Sequence, residues 1–459
     1  MDSAGIPAKK AAFGRDWTKG STIRNLFSLS WPITVSATIY MVGGLVDMLW
    51  VGRLGSTAMA AVGTAGMALW MGLAAVMCLT VGARALIARF IGAEDMEGAN
   101  HVARQALLVA GVYGLAIATL SAAFAGPILG LFGVDESVVA EGTVYLRICA
   151  ASALPSSVWM VLEAAMQASG DVVRPMLMTI SSKAVHMCIE PVLIFGWAFV
   201  PAMGIRGAAV TIAIAESVGM AAGLFIMLTG RTRLRLTLRG IAIDPKTMWR
   251  IIRIGIPALL MNVQGNFAGV MFMRLTAPFG TLAVAAQSLY MKIEQIALAP
   301  MMGFGMAAAV LVGQNLGARQ PQRAERSGWL AVGLAEAIMV GLSLALIIFA
   351  RQIVGLFDTE PGLTAIAVPF LRIAAAGYAL TVAGNILQNC CNGAGDTLPP
   401  TLGTLFTTWA VQIPFALLLP NVGDLGVLGI RWAMVIGWGV SAAIFVVYFR
   451  LGRWKRKRV

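Results

Sequence analysis

Six carboxylates stand inside long apolar runs of the sequence, where an acid is energetically costly. An ionised Asp or Glu near the centre of a bilayer costs about 2.5–3.5 kcal/mol on insertion scales, so each should face a cavity or a partner. The chemistry open to such a group is to exchange a proton, bind a cation or form a buried ion pair. The six residues are Asp47, Glu163, Glu190, Glu216, Glu294 and Glu336.

The composition excludes a water-soluble fold. Of the 459 residues, 59% are hydrophobic and 12% are charged, about half the roughly 25% charged residues of ordinary globular proteins. The net charge of +13 comes from short segments between apolar runs and from the two tails. Nucleic-acid binding, which needs a basic folded face, is therefore excluded. The five cysteines form no CxxC pair and indicate neither a disulfide framework nor a zinc site.

The apolar runs predict an all-α polytopic membrane protein with twelve spans of about 20 residues or more. The spans lie at approximately 29–51, 58–81, 105–126, 138–161, 174–197, 204–228, 254–275, 284–309, 327–349, 362–386, 398–419 and 427–449. An even number places both termini on one side, which carries 25 of the 34 Lys and Arg residues, against 5 on the other side. The positive-inside rule then predicts a multi-pass protein of the cell (inner) membrane with both termini cytoplasmic.

Basic tails flank the spans at 1–28 and 450–459. The C-terminal tail contains Arg453-Trp454-Lys455-Arg456-Lys457-Arg458. We interpret this segment as a topology anchor, and a specific site for anionic lipid is the alternative.

An internal repeat appears when the chain is shifted by 225 residues against itself. The shift aligns Pro32 with Pro257, Gly55 with Gly280, Gly92-Ala93 with Gly317-Ala318, and Gly170-Asp171 with Gly395-Asp396. Each half holds six spans, so both halves enter the membrane in the same orientation and form a parallel repeat. We predict an N-lobe at 29–228, a basic cytoplasmic linker at 229–253 and a C-lobe at 254–449. Two such lobes favour transport by alternating access.

The repeat also tests the six acids. Their counterparts in the other half are Phe272, Gln388, Phe415, Ser441, Leu69 and Gly111. The scaffold is duplicated but no acid is, so the shared fold does not require these charges. This favours a functional role for several of them.

Several motifs resemble those of the MATE family, the multidrug and toxic compound extrusion transporters. They are Leu45-Val46-Asp47-Met48-Leu49-Trp50-Val51-Gly52-Arg53-Leu54-Gly55, Leu193-Ile194-Phe195-Gly196, Gln314-Asn315-Leu316-Gly317-Ala318 and Gly393-Ala394-Gly395-Asp396-Thr397. The resemblance covers nearly the whole chain. The major facilitator superfamily is disfavoured, because the loop after the second span reads Gly92-Ala93-Glu94-Asp95-Met96-Glu97 in place of a Gly-x-x-x-Asp-Arg-x-Gly motif.

The resemblance implies secondary antiport, with export of organic cations and other amphipathic drugs in exchange for H+ or Na+. It assigns coupling-cation binding to Asp47, which follows Pro32 by 15 residues. Relatives carry Asn-x-x-x-Asp-Pro on the fifth span, where this chain has His186 and Glu190 before Pro191. Relatives also place a Thr on the sixth span, and Thr211 is the looser match. A helix-end polar role for Asp47 remains the alternative.

The fifth span groups three polar residues on one face. Lys183, His186 and Glu190 are spaced i, i+3 and i+7, so Glu190 can pair with His186 or Lys183. A titratable imidazole beside the acid favours H+ as the coupling ion, and Na+ at Asp47 and Glu190 is the alternative. A structural pair of Lys183 with Glu190 is also open.

The resemblance predicts coupling in the first lobe: one branch of the family carries a Glu on the seventh span and an Asp on the tenth, whereas this chain has Asn262, Gln264 and Asn266 on the seventh and no acid on the tenth. Glu216, Glu294 and Glu163 are further candidate cavity acids. Glu216 could serve the same cluster or face the core, and a structural role is the favoured interpretation for Glu163 and Glu336. Flexible thioethers suit a promiscuous cavity. The candidate substrate-contacting residues are Tyr40, Met41, Met48, Met261, Tyr290 and Met301.

A flippase for a lipid-linked precursor is the alternative to export, although acids in the interior suit a cationic cargo better. A membrane enzyme would need paired His or Asp motifs, and His101 and His186 are the only histidines, so we expect no enzyme. We also expect a monomer in the lipid bilayer, cationic or amphipathic small-molecule substrates, no nucleic-acid partner and no cofactor beyond the coupling ion.

Overall fold

The computed structural model describes residues 16–197, 200–237, 242–355, 361–423 and 425–457. Apart from one antiparallel bridge between Trp197 and Val200, their regular structure is helical. The first lobe contains α1 (Thr22–Gly52), α2 (Ser56–Gly92), α3 (Met96–Ala123), α4 (Glu136–Ala150 with Ala153–Ala168), α5 (Val173–Phe195) and α6 (Ile205–Leu228). The second contains α7 (Pro245–Thr276), α8 (Thr281–Ala297 with Ala299–Gly317), α9 (Pro321–Ile348), α10 (Pro361–Gly393), α11 (Leu398–Phe406, a π-helical turn at Thr407–Gln412, and Ile413–Leu418) and α12 (Val427–Leu451).

The predicted fold class is confirmed. In the described part of the chain, eleven helices are long and apolar enough to cross a membrane, and the two segments of α4 form a twelfth span if counted together. The duplication is visible even in short elements, since Ala125–Gly130 in the first lobe and Ala350–Gly355 in the second are single helical turns at repeat-related positions.

Two helices that were predicted as continuous are broken. The segments of α4 meet at an angle of 50°, and α8 is interrupted at Leu298. Pro155 follows the first break and Pro300 the second. Proline has no backbone N–H to continue the helical hydrogen bonds and its ring crowds the preceding turn, which accounts for both breaks. The apolar runs continue across the breaks, so the length and hydropathy of the spans did not reveal them.

The lobes meet closely where α2 and α8 end. A Cβ atom at Gly92 would overlap the backbone of Gln314, and one at Gly317 would overlap the backbone of Arg89. Arg89 Nη2 donates to the carbonyl of Ala394 in the second lobe at 2.8 Å, and Gln314 Nε2 donates to the carbonyl of Ala168 in the first lobe at 2.8 Å. Positions 89 and 314 are related by the repeat, so the two hydrogen bonds form a reciprocal pair across the lobe interface.

The basic linker between the lobes docks on the first lobe. Leu234 and Leu236 are buried, and Gln105 of α3 donates to the carbonyl of Ala242 at 2.7 Å. The helix α7 already begins at Pro245, inside the segment predicted as linker. Its N-cap, Asp244, accepts hydrogen bonds from the backbone amides of residues 246 and 247, which satisfies donors that a helix N-terminus leaves free.

Asp244 also lies 3.0 Å from His101 Nε2 of α3. The hydroxyl of Thr247, then His101 and the capping amides, hold the pKa of Asp244 well below its usual range. The carboxylate therefore stays ionised at neutral pH and fastens the start of α7 to α3.

Candidate proton or cation site between α1 and α5

The face of α5 that was predicted from spacing is buried against its neighbours. Lys183, His186 and Glu190 all lie on the buried side of α5, which packs against α1 and α6. Because residues at i, i+3 and i+7 of an α-helix share one face, a single helix presents all three side chains toward α1. Asp47, near the end of α1, lies opposite them.

Asp47, His186 and Glu190 form one cluster. His186 Nε2 is 3.3 Å from Asp47 Oδ1 and 3.9 Å from Glu190 Oε2. One ligand atom from each residue lies within 4.8 Å of the others, and among the described residues this is the sole group of three or more such side chains. The structure thus brings together three of the four residues predicted for coupling.

The cluster is poorly satisfied as it stands. The side chains of Glu190 and His186 are 1% and 3% exposed, and that of Asp47 is 27% exposed. Within the described part of the chain, Asp47 Oδ1, His186 Nε2 and Glu190 Oε2 make no well-oriented hydrogen bond. Two ionised carboxylates at this separation repel each other, and a proton or a bound cation relieves that repulsion. The donor set therefore fits either a shared proton or a small cation.

Lys183 has other partners. Its Nζ lies 3.9 Å from Glu216 Oε1 on α6 and 4.5 Å from the centre of the Tyr40 ring on α1. Glu216 also accepts a hydrogen bond from the Ser156 hydroxyl. The ion pair of Lys183 is thus with Glu216, and the neighbour of Glu190 is His186.

Glu163 belongs to a third, adjoining group. It accepts a hydrogen bond from Gln167 Nε2 at 3.0 Å, and Gln167 Oε1 accepts from Arg84 Nη2 at 3.3 Å. Arg84 lies beyond the predicted end of the second span at residue 81, but α2 continues to Gly92 and Arg84 is part of the helix. Neither the helical periodicity nor the family motifs indicated the hydrogen bond between Arg84 and Gln167.

Thr211 makes a local contact. Its buried hydroxyl donates to the carbonyl of Gly207 at 2.8 Å, one turn earlier on α6. This bond occupies the hydroxyl proton, and the oxygen keeps acceptor capacity. The role predicted for Thr211 in coupling stays a prediction.

The second lobe holds a different arrangement. Tyr290 donates to Glu294 Oε1 at 2.5 Å, and the guanidinium of Arg431 lies 3.7 Å from the centre of the Tyr290 ring and 4.6 Å from that of Phe370. Arg431 lies in α12 with 1% of its surface exposed. Its charge is close enough to Glu294 to stabilise the carboxylate.

The residues predicted to contact substrate fall into two sets. Tyr40 and Met48 are exposed, and Met41 and Met261 are half-buried. Tyr290 and Met301 are buried in the core of the second lobe, and a contact of either with substrate stays a prediction.

A family model described as MatE matches residues 32–192 and 257–418, with one match in each lobe. The chain belongs to the MATE family. The start of the two matches is shifted by 225 residues, as the internal repeat requires. The family resemblance drawn from the motifs is therefore confirmed.

Known members align with the chain over nearly their full length. The Probable multidrug resistance protein NorM of Thermotoga maritima is 24% identical over 444 residues, which cover 95% of this chain and 94% of that protein. The Probable multidrug resistance protein YoeA of Bacillus subtilis is 25% identical over 449 residues, covering 96% of each. A MOP superfamily transporter from Pyrococcus furiosus has the same fold, with a TM-score of 0.89 at 24% identity over 96% of this chain and 98% of that one.

Proposed function

We propose that this protein is a secondary active exporter of cationic and amphipathic drugs, driven by proton influx across the cell (inner) membrane, with both termini in the cytoplasm. The observation that carries the proposal is the cluster of Asp47, His186 and Glu190, where ligand atoms lie within 4.8 Å of one another. Membership of the MATE family and the multidrug resistance relatives support the substrate class.

The proton is favoured over Na+ by the chemistry of the cluster. Hard cations prefer oxygen ligands, whereas the atom between the two carboxylates is an imidazole nitrogen, 3.3 Å from Asp47 and 3.9 Å from Glu190. The imidazole nitrogen and the carboxylate oxygens can all accept a proton, so the cluster can hold one shared proton. A proton held by Asp47, His186 and Glu190 removes the repulsion between the acids without requiring a further oxygen ligand.

Exchange follows from competition for negative charge. With Asp47 and Glu190 both ionised, the first lobe attracts a cationic drug. The exposed ring of Tyr40 contacts Lys183, next to the cluster, and offers an aromatic surface there. Binding of a proton at the cluster neutralises one carboxylate and weakens that attraction. Proton entry and drug release are therefore coupled through a single electrostatic balance.

The lobe interface supports alternating access. The reciprocal hydrogen bonds of Arg89 with Ala394 and of Gln314 with Ala168 close the end of the molecule that carries the basic linker. Opening toward the cytoplasm requires both bonds to break. In this proposal the cluster senses the proton, and the two hydrogen bonds hold the cytoplasmic side shut in the state described.

The experiment is ethidium transport by purified protein in proteoliposomes with an imposed pH gradient or an imposed Na+ gradient. We expect the pH gradient to drive transport, and Asp47→Asn and Glu190→Gln each to reduce it to the background of protein-free vesicles. Glu336→Gln is the control, because Glu336 is a half-buried acid on α9 outside the cluster. Full transport in both cluster variants, or transport driven by Na+ alone, would contradict the proposal.

A further inference from the structure

The C-terminal tail is folded against the second lobe. Gly452 ends α12 in the left-handed conformation, with φ of 67°, and turns the chain into the 3-10 helix Arg453–Arg456. Trp454 is completely buried, stacks on Phe449 with 4.5 Å between ring centres, and donates its indole N–H to the carbonyl of Phe449 at 2.9 Å. A buried aromatic anchor of this kind gives the tail one fixed position.

The lysines of the tail are neutralised by acids of the second lobe. Lys455 Nζ lies 2.7 Å from Glu325 Oε2 on α9, and Lys457 Nζ lies 3.3 Å from Asp396 Oδ1. Asp396 in turn accepts a hydrogen bond from the Tyr448 hydroxyl. These pairs fasten the tail to the lobe and leave the lysines without free charge.

The arginines of the same segment remain unpaired. Arg450, Arg453 and Arg456 are exposed, and none of them has a carboxylate within ion-pair distance among the described residues. All three line one depression of about 500 Å³, together with Pro321, Leu451, Gly452 and Lys455. Among the residues that the structure describes, no acidic side chain lines this depression. Guanidinium groups present planar pairs of donors that match phosphate oxygens.

The depression lies where α12 leaves the predicted membrane region. Leu451, the last residue of α12, is an exposed apolar side chain, and the Arg450 guanidinium lies 5.6 Å from the centre of the half-buried Trp329 ring. Aromatic side chains concentrate at the membrane–water interface. The unpaired arginines are therefore at the level where lipid headgroups lie, on the side that the proposed orientation makes cytoplasmic.

We propose that Arg450, Arg453 and Arg456 form a binding site for the phosphate of an anionic lipid headgroup. Phosphate-bearing anions in solution share this chemistry, but the exposed apolar end of α12 favours a molecule with an acyl chain. The choice of leaflet rests on the proposed function's orientation, with both termini in the cytoplasm. Anionic headgroups of the cytoplasmic leaflet attract basic segments next to a span. The lipid site explains why the C-terminal tail, which the sequence predicts as a topology anchor, is folded and holds its arginine side chains in a fixed arrangement.

The test is native mass spectrometry of the full chain, released from detergent, with phosphatidylglycerol, phosphatidylcholine or inorganic phosphate added. We expect retained phosphatidylglycerol and no comparable retention of phosphatidylcholine. The triple variant Arg450→Gln, Arg453→Gln and Arg456→Gln should weaken phosphatidylglycerol binding at least about tenfold, since each near-surface Arg contributes roughly fivefold. The matched control Arg231→Gln, Arg235→Gln and Lys246→Gln removes the same charge from the linker and should bind like the unmodified protein.

A gain-of-binding variant separates the site from effects on folding. Glu325→Gln releases Lys455 from its 2.7 Å pair at the rim of the depression and should strengthen phosphatidylglycerol binding several-fold. Equal binding by the arginine triple variant and the unmodified protein, or an equal loss in the linker control, would overturn the proposal. Arginine-dependent binding of inorganic phosphate without preference between the two lipids would overturn the lipid assignment. Lipid retention is measured without transport, so the result can be interpreted even if the export proposal fails.

Discussion

The two lobes share a scaffold but differ in the charge they enclose. The first lobe contains Asp47, His186 and Glu190 within 4.8 Å of one another. In the second lobe, Arg431 covers the ring of Tyr290, which donates to Glu294. A fixed cation nearby already balances the charge of a carboxylate, so that carboxylate does not require a bound proton or metal cation. We therefore infer that the duplication supplied the architecture twice and that coupling developed in one lobe.

The helices at repeat-related positions show the same contrast. On α5, Lys183, His186 and Glu190 occupy a regular α-helix. Their counterparts on α11 are Thr408, Val411 and Phe415, and the first two lie in the π-helical turn Thr407–Gln412. The lobe interface behaves differently, since the repeat-related positions 89 and 314 each donate to a backbone carbonyl of the other lobe. The comparison separates a nearly symmetric contact between the lobes from an asymmetric charge site.

The largest expected effect comes from His186→Asn. The substitution replaces the imidazole by an amide whose oxygen is a hard ligand, so Na+ should become able to bind between Asp47 and Glu190. We expect ethidium transport to change from a dependence on the pH gradient to a dependence on the Na+ gradient, measured in proteoliposomes. His101→Asn is the control and should leave the coupling ion unchanged. Unaltered proton coupling in His186→Asn would show that the imidazole has no role in the choice of ion.

Arg431→Ala tests whether the second lobe uses its charge for structure. Loss of this buried charge near Glu294 and of its contacts with the Tyr290 and Phe370 rings should lower the melting temperature of the detergent-solubilised protein. Adding Glu294→Gln removes the uncompensated acid and should restore part of the loss. The surviving fraction should still require the pH gradient. A change of coupling ion in Arg431→Ala would place coupling in both lobes and contradict the asymmetry.

The double variant Arg89→Ala and Gln314→Ala tests the nearly symmetric contact between the lobes. Loss of one charged and one neutral hydrogen bond should shift the equilibrium between the lobes by about 2–4 kcal/mol toward cytoplasmic opening. Spin labels at positions 96 and 322, beside the ends of α2 and α8, should lie farther apart in the double variant than in the unmodified protein. Pulsed electron paramagnetic resonance measures this distance. Gln105→Ala, which removes a bond within the first lobe and linker, is the matched control. An unchanged distance distribution would show that these bonds do not hold the lobe interface closed.

The smallest effect is expected from Asp244→Ala. Loss of this solvent-accessible N-cap should produce only a small fall in melting temperature at neutral pH. Because hydrogen bonds from Thr247 and His101 lower the pKa of Asp244, its contribution is present above the usual pKa range of an aspartate. The contribution is lost as pH falls through that range toward the lowered pKa. The difference between variant and unmodified protein should therefore vanish in strong acid, and a difference that grows there would contradict the cap.

The sequence predicted the fold class and the residues of α5 because both depend on local patterns. Long apolar runs define spans, and the i, i+3, i+7 spacing places Lys183, His186 and Glu190 on one face. It did not predict that Lys183 pairs with Glu216, because that contact depends on how α5 packs on α6. Nor did it predict the contacts of Arg431, because they depend on aromatic rings that other helices bring against α12.

The most direct test of the central claim is proton release on drug binding by the purified protein in weakly buffered solution. If proton and drug compete for the negative charge at Asp47 and Glu190, ethidium binding should release close to one proton per drug at pH values where the cluster is protonated. Asp47→Asn and Glu190→Gln should bind the drug with greatly reduced release. Release of a full proton by both variants, or ethidium binding without release by the unmodified protein at every pH, would contradict the account.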